Sequence, residues 1–343
     1  MALLELNDLN IEYKTDQGNV RAVEDVNIQI EKGETVGIVG ESGCGKTTMA
    51  KSVLGILPSN ANIVSGEIIY DGKDLTERSE DFLRENIRWS EISWIAQNAM
   101  NALNPVYRIK SLFHEALSIH TDLSKAERRE KIEQLLTDVD LDAAVINDYG
   151  HELSGGQRQR VIIALALALS PPLIIADEPT TGLDVVIQDQ ILRLISDLQK
   201  ETNSAMMFIS HDVNAVAEVS DKTSVMYAGN VVESGDSSDV FKSPAHPYTV
   251  GLMNAFPRID SDPDDALVTI PGSPPELIDP PKGCRFKSRC PFATEDCTVT
   301  PPDTKVNNRS HVAKCHYTSK AEKFREEGKK IETWEQNDTV EVR

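Results

Sequence analysis

No stretch of this sequence reaches the about 18 consecutive apolar residues that a membrane-crossing helix requires. The best candidate, Val161 to Leu169, is closed by Pro171 and Pro172. The opening residues, MALLELNDLN, lack the basic region and apolar core of a signal peptide. The protein is therefore expected to stay in the cytoplasm and to meet a membrane only through other subunits. Positive charge is also scarce: 35 Lys and Arg against 55 Asp and Glu leave a net charge of −20 at pH 7. Such a chain repels phosphate backbones and anionic head groups, which argues against nucleic acid as a main partner. The acidity reads as a means of solubility, or of life in a salt-adapted cytoplasm. No internal repeat of solenoid length is present.

What is present is enough for a sizeable core, with 40% of the 343 residues apolar. The length predicts a first domain over residues 1–235 and an appended segment over 236–343. Leu3 to Ile30 alternates apolar and polar residues about a turn at Asp16-Gln17-Gly18-Asn19, as an antiparallel hairpin would. Further strands are expected at Thr35–Val39, Ser65–Tyr70, Glu91–Ala96, Leu173–Ala176, Ala205–Ile209 and Ser224–Val232. Val185–Glu201 reads as a helix, and residues 98–160 as an inserted helical subdomain in which Ser124 caps an amphipathic helix. Strands alternating with helices imply an α/β fold with a largely parallel sheet. Beyond Gly235 the composition turns to Pro and Asp, as in FPRIDSDPDDA, which predicts a loosely structured connection to a small module.

Gly40-Glu41-Ser42-Gly43-Cys44-Gly45-Lys46-Thr47, followed by Thr48, fits G-x-x-x-x-G-K-[ST] between a predicted strand and a predicted helix. Glycines let backbone N–H groups turn inward around phosphates, and the helix start adds partial positive charge. Lys46 is placed to reach the β- and γ-phosphates of a nucleotide, and the Thr47 hydroxyl to ligate Mg²⁺. A second element, Leu173-Ile174-Ile175-Ala176-Asp177-Glu178, is a buried strand ending in two carboxylates. Asp177 is the candidate to hold Mg²⁺ through water, and Glu178 to act as general base on the attacking water. These two motifs point to ATP or GTP chemistry without naming the task.

Leu153-Ser154-Gly155-Gly156-Gln157, running into Arg158 and a long apolar helix, resembles the signature sequence of the ABC ATPase family. That resemblance implies a P-loop NTPase core with an antiparallel β subdomain and an inserted helical subdomain. It also implies that Ser154, Gly155, Gly156 and Gln157 complete the ATP site of an opposite subunit. The family's other elements follow in order: Tyr13 where an aromatic ring meets adenine, and Gln97 as the glutamine that touches Mg²⁺ and water. Next come Asp184 in Thr181-Gly182-Leu183-Asp184, facing a partner's phosphate site, and His211 as the switch histidine. Gly182 departs from the family's usual serine or alanine.

Four of the five cysteines, Cys284, Cys290, Cys297 and Cys315, fall in the last quarter at C-x5-C-x6-C-x17-C spacing. Four thiolates suit either tetrahedral zinc or an iron–sulfur cluster, and paired C-x2–4-C ligands are absent. With His246-Pro247-Tyr248-Thr249 and Pro271-Gly272-Ser273-Pro274-Pro275, they resemble the C-terminal extension of the oligopeptide and dipeptide importer ATPases. The resemblance implies a [4Fe–4S] cluster ahead of Zn²⁺. The small size and proline content of the segment predict that such a metal serves as a staple where no core of its own can be buried. Cys44, inside the phosphate loop, reads as a small filler.

The resemblance implies an ATPase at the cytoplasmic face of the membrane, working with a second, distinct ABC ATPase subunit, two permease subunits and an external solute-binding protein. Peptides are the implied cargo. Nickel complexes or oligosaccharides are the alternatives, and a soluble ABC ATPase of translation or DNA maintenance is the competitor from another class.

Overall fold

The computed structural model describes residues 2–97, 103–255, 268–307 and 310–335. The FPRIDSDPDDA connection lies outside them, as does the start of the 98–160 stretch. The chain forms two compact units. One comprises Met1–Leu3, Ile30–Thr35 and Asp71–Ile209; the other comprises Leu4–Gln29, Val36–Tyr70 and Ser210–Arg343.

In the first unit, Ile92–Ile95, Leu173–Asp177 and Ala205–Ser210 are consecutive parallel strands. Every residue of the latter two strands is buried, the pattern of a parallel sheet covered on both faces. Helices Ile109–His120 and Lys125–Asp138 lie in the expected helical stretch, followed by Gly155–Ala166. Ser124 caps the second through a reciprocal box: its Oγ accepts from the Glu127 N–H at 3.3 Å, and Glu127 Oε2 accepts from the Ser124 N–H at 2.7 Å. Helix Val185–Thr202 begins at the Asp184 cap and stops at Asn203, whose φ of 51° ends it in the left-handed region.

The second unit opens with the predicted hairpin, Ala2–Thr15 against Gly18–Glu31, with Ala61–Tyr70 antiparallel on its other side. Leu4 and Leu6 are buried, yet so are Leu9 and Ile11, which have the opposite parity. A bulge resolves the conflict: the register shifts between Asn7 and Asn10, where Asp8 takes a φ of 47°. Strand Thr35–Val39 pairs in parallel with Lys222–Tyr227. The single strand expected over Ser224–Val232 is instead a hairpin, Lys222–Tyr227 and Asn230–Asp236, turned at Ala228 and Gly229 with φ of 47° and 87°. Gly229 is the usual second residue of such a turn, but Ala228 replaces the usual Asn, Asp or Gly at the first, which is why apolar continuity concealed it.

The C-terminal segment joins this sheet. Val312–Lys314 pairs antiparallel with Asn230–Asp236, and Asp303–Lys305 with Val312–Lys314. The buried Glu233 carboxylate accepts the N–H groups of Ala245 and His246 at 2.7 and 2.8 Å, and His311 Nε2 lies 2.7 Å from it. His246 caps helix Pro247–Asn254, its Nδ1 accepting from the Tyr248 N–H at 3.1 Å, with Pro247 at the first helical position. Burial pushes the His246 pKa down to about 3, which keeps the ring neutral and Nδ1 free to accept.

The expectation of a segment without a core of its own needs correction. Phe286, Phe324 and Trp334 are buried, Phe292 stacks on Phe324 at 4.5 Å, and Trp334 packs where a side chain on Gly251 would sit. The aromatics are spread singly through a Pro-rich sequence, so no periodicity announces them.

Candidate functional site

Strand Thr35–Val39 delivers the phosphate loop to the start of helix Lys46–Val53. Three of its glycines do separate jobs. A Cβ on Gly40 would stand 2.1 Å from the Met226 carbonyl oxygen, so this position admits no side chain. Gly43 and Gly45 have φ of 79° and 106°, a region L-residues avoid, and these values turn the loop inward. Lys46 is nearly buried at 5% exposure, and its Nζ donates to the Gly40 and Glu41 carbonyls at 2.7 and 3.0 Å. Cys44 is buried beneath the loop, and burial raises its pKa against the pull of the Lys46 charge. Its burial is what a small filler of the loop requires. Tyr13 is half-buried, its hydroxyl 3.0 Å from Thr48 Oγ1 on the loop's helix. Ser42 is exposed, and His211 is an exposed residue directly after strand Ala205–Ser210.

In the other unit, Asp177 ends its strand fully buried, and the chain turns at Glu178 with a φ of 49°. The Glu178 N–H donates to the Ile209 carbonyl at 2.8 Å, which anchors this unfavourable conformation. One carboxylate oxygen of Glu178 accepts from Gln97 Nε2 at 2.8 Å and from Thr181 Oγ1 at 2.9 Å. Thr181, three residues from Glu178, makes a local turn contact that the sequence motif includes without explaining. Gly182 has a φ of 82° with open space where a Cβ would be, so glycine relieves the turn.

The Ser-Gly-Gly segment is a helix start. Ser154 Oγ accepts from the Gln157 N–H at 3.3 Å and Gln157 Oε1 accepts from the Ser154 N–H at 2.9 Å. Ser154 and Gln157 are exposed, and the Ser154 hydroxyl keeps its proton to donate outward. A Cβ on Gly156 would meet Ile187 Cγ2 at 3.0 Å, so glycine allows this helix to lie close on Val185–Thr202. Asp184 caps that helix by accepting the Ile187 N–H at 3.0 Å.

Of the cysteines, Cys290 and Cys297 are buried and Cys284 and Cys315 are half-buried. The Cys284 N–H donates to the Cys297 carbonyl at 3.0 Å, and the Tyr317 N–H donates to Cys315 Sγ at 3.4 Å. Burial pushes the Cys284 thiol up to about 11, helped by the neighbouring Cys297 and Cys315, and it raises Cys290 and Cys315 as well. Among the described residues, no group of three or more His, Cys, Asp or Glu forms a site that could hold a metal ion. The four thiols therefore share a neighbourhood and suitable donor chemistry, but not a closed coordination shell.

Comparison with known proteins adds the following. Residues 23–181 match the family model described as ABC transporter, and residues 232–297 match the oligopeptide/dipeptide transporter, C-terminal region. The oligopeptide transport ATP-binding protein OppD of Escherichia coli (strain K12) is 45% identical over 303 residues, covering 88% of this chain and 89% of that one. The dipeptide transport ATP-binding protein DppD of Lactococcus lactis subsp. cremoris is 44% identical over 316 residues, covering 91% and 90%. Among solved structures, a dimeric post-hydrolysis ATP-binding cassette bound to ADP and Pi superposes with a TM-score of 0.62 at 29% identity. That match covers 68% of this chain and 98% of the other.

Proposed function

The chain belongs to the ABC transporter ATP-binding family, in its oligopeptide/dipeptide branch, and from that membership we propose how its residues divide the reaction. It is an ATPase that powers peptide import. Residues 1–235 form the nucleotide-binding part and 236–343 the extension. Gly40, Glu41, Ser42, Gly43, Cys44 and Gly45 present the loop amides to the ATP phosphates, with Lys46 and Thr48 beside them and the Tyr13 ring against adenine. Lys46 gives up a backbone carbonyl for the β- and γ-phosphates, a charge-assisted exchange.

Glu178 takes a proton from water as the water oxygen bonds to the γ-phosphorus, and the bond from that phosphorus to the β–γ bridging oxygen breaks. ADP and phosphate result. Gln97 holds the carboxylate in place, and His211 faces the γ-phosphate. The Thr47 hydroxyl, the Gln97 amide oxygen and the buried Asp177 carboxylate are hard oxygen donors that fit Mg²⁺. When bound, Mg²⁺ neutralises charge on the β- and γ-phosphates. Ser154, Gly155, Gly156 and Gln157 serve the nucleotide of an opposing subunit, and Asp184 faces that subunit's phosphate loop. The observation that most supports this reading is the Gln97 amide seated against the Glu178 carboxylate at 2.8 Å.

The partners are membrane permease subunits and an external solute-binding protein, and we place a distinct second ATPase opposite this one. Among the described residues no helix is long and apolar enough to cross a membrane. We place the protein at the cytoplasmic face of the membrane, attached through the permeases. In vesicles holding the permeases and the binding protein, ATP should drive accumulation of a labelled di- or oligopeptide. Uptake of nickel complexes or oligosaccharides in its place would refute the cargo, and stable association with ribosomes or DNA would favour the soluble role.

The four cysteines are proposed to take a [4Fe–4S] cluster, with Zn²⁺ as the alternative, once their thiols draw together and lose their protons. Support comes from their shared neighbourhood and from the Tyr317 N–H directed at Cys315 Sγ. Anaerobically purified protein is expected to be brown, with iron and sulfide on analysis. Colourless protein with stoichiometric zinc would select the alternative, and metal-free protein would exclude both.

A further inference from the structure

The segment bounded by Cys284 and Cys290 carries two arginines, Arg285 and Arg289, only 7% and 6% exposed. A guanidinium leaves water at great cost unless its donors are met, and here the phosphate loop helps to meet them. Arg289 Nη1 donates to Glu41 Oε2 at 2.8 Å and to the Tyr227 hydroxyl at 3.3 Å. Its Nε and Nη2 donate to the carbonyls of Pro271 and Ile270 at 2.8 and 3.3 Å. All three nitrogens are thus engaged, and the plane lies 5.7 Å from the Tyr227 ring centroid.

Glu41 is held from a second direction, since its N–H donates to the Tyr248 hydroxyl at 3.0 Å. Two stretches of the C-terminal segment, those of Tyr248 and Arg289, therefore converge on one residue of the phosphate loop, and a third, that of Pro271, holds the Arg289 guanidinium. The Glu41 carbonyl in turn accepts from Lys46 Nζ at 3.0 Å and from the Cys44 N–H at 3.3 Å. On the loop's other flank, Arg285 donates to the Ala228 carbonyl and pairs with Glu24. The adjoining Gly229 N–H donates to the Cys44 carbonyl at 3.0 Å.

Glu41 is a carboxylate within a loop that must accept a polyanion, and left unpaired it would repel the incoming phosphates. We propose that Arg289 is a positioning residue for the nucleotide, clamping Glu41 so that the phosphate loop is pre-formed and electrostatically open to a nucleoside triphosphate. This rests on the ATP-site reading above and extends it to the C-terminal segment. The clamp acts alike before and during the chemical step, so its loss raises KM and spares kcat.

The test measures ATP affinity of the full chain by equilibrium binding, and KM and kcat in the assembled transporter. Arg289→Ala should weaken ATP binding and raise KM by about tenfold, the scale of one charged hydrogen bond, with kcat changed less than about twofold. Adding Glu41→Gln should return affinity to within about threefold of wild type, because the repelling charge is gone. If Arg289→Ala is too unstable to purify, Arg289→Lys with and without Glu41→Gln gives the same comparison on a smaller scale. Unchanged affinity in the arginine variants, or a fall in kcat and melting temperature without recovery in the double variant, overturns the clamp. Lys46→Ala separates the two readings: if it too binds ATP like wild type, the ATP-site assignment fails instead.

Discussion

Replacing Glu178 by glutamine is expected to lower ATP turnover by about a thousandfold, within the range typical of a lost general base, while ATP binding changes less than about twofold. Glutamine is nearly isosteric with glutamate, and the anchors that hold the position act on the backbone and on an oxygen glutamine retains. The N–H still meets the Ile209 carbonyl, and the side-chain oxygen can still accept from Gln97 and Thr181. What disappears is a group able to take a proton from water. Uncleaved ATP should then accumulate and hold two subunits together, visible as an ATP-dependent, ADP-insensitive dimer on size-exclusion chromatography. Wild-type turnover in this variant would remove Glu178 from the role of base.

A single methyl group on Gly45 should have an effect of similar weight on binding. An alanine Cβ there would lie 2.2 Å from the Ala22 carbonyl oxygen while the backbone is held at a φ of 106°. Neither conflict can be relieved by rotating a side chain, because the obstructing atom belongs to a strand. The loop must move, carrying the inward-facing amides and the start of helix Lys46–Val53 with it. We expect ATP affinity to fall by about a hundredfold, equivalent to about 2.7 kcal/mol. Gly43 provides the contrast, since its φ of 79° comes with no atom within 4 Å of an added Cβ. Gly43→Ala incurs only the left-handed backbone penalty of about 1–2 kcal/mol, so a milder loss of about tenfold is expected. Equal affinities for Gly45→Ala and wild type, measured by filter binding, would show that the loop does not cradle the phosphates.

Much of the candidate site could be read from local spacing because its parts are locally encoded. The phosphate loop is one run of eight residues, Gly40–Thr47, in which Gly43 and Gly45 supply the positive φ the turn needs, although the close approach of Met226 to Gly40 and of Ala22 to Gly45 belongs to the folded protein. Ser154 and Gln157 cap each other within four residues, and Asp184 caps the helix it begins. Even the His246-Pro247-Tyr248 motif has a local explanation, with a ring nitrogen as helix cap and proline at the first helical position. The Gln97–Glu178 contact is different. The two residues follow the ends of separate strands of one sheet, so the carboxylate motif nominated Glu178 and the resemblance Gln97, while geometry alone put them 2.8 Å apart.

The amino-acid order made the alternation of strands and helices, the phosphate-loop motif and the helix starts legible, since each is written in residues adjacent along the chain. Folding in three dimensions settled the turn at Ala228-Gly229, the pairing of Val312–Lys314 with Asn230–Asp236, and the seat of Arg289 on Glu41. Strand pairing and buried ion pairs join segments far apart in the chain through backbone groups every residue shares, or through one side chain on each side. Such contacts leave no periodic trace, and only the packed protein reveals which distant partners meet.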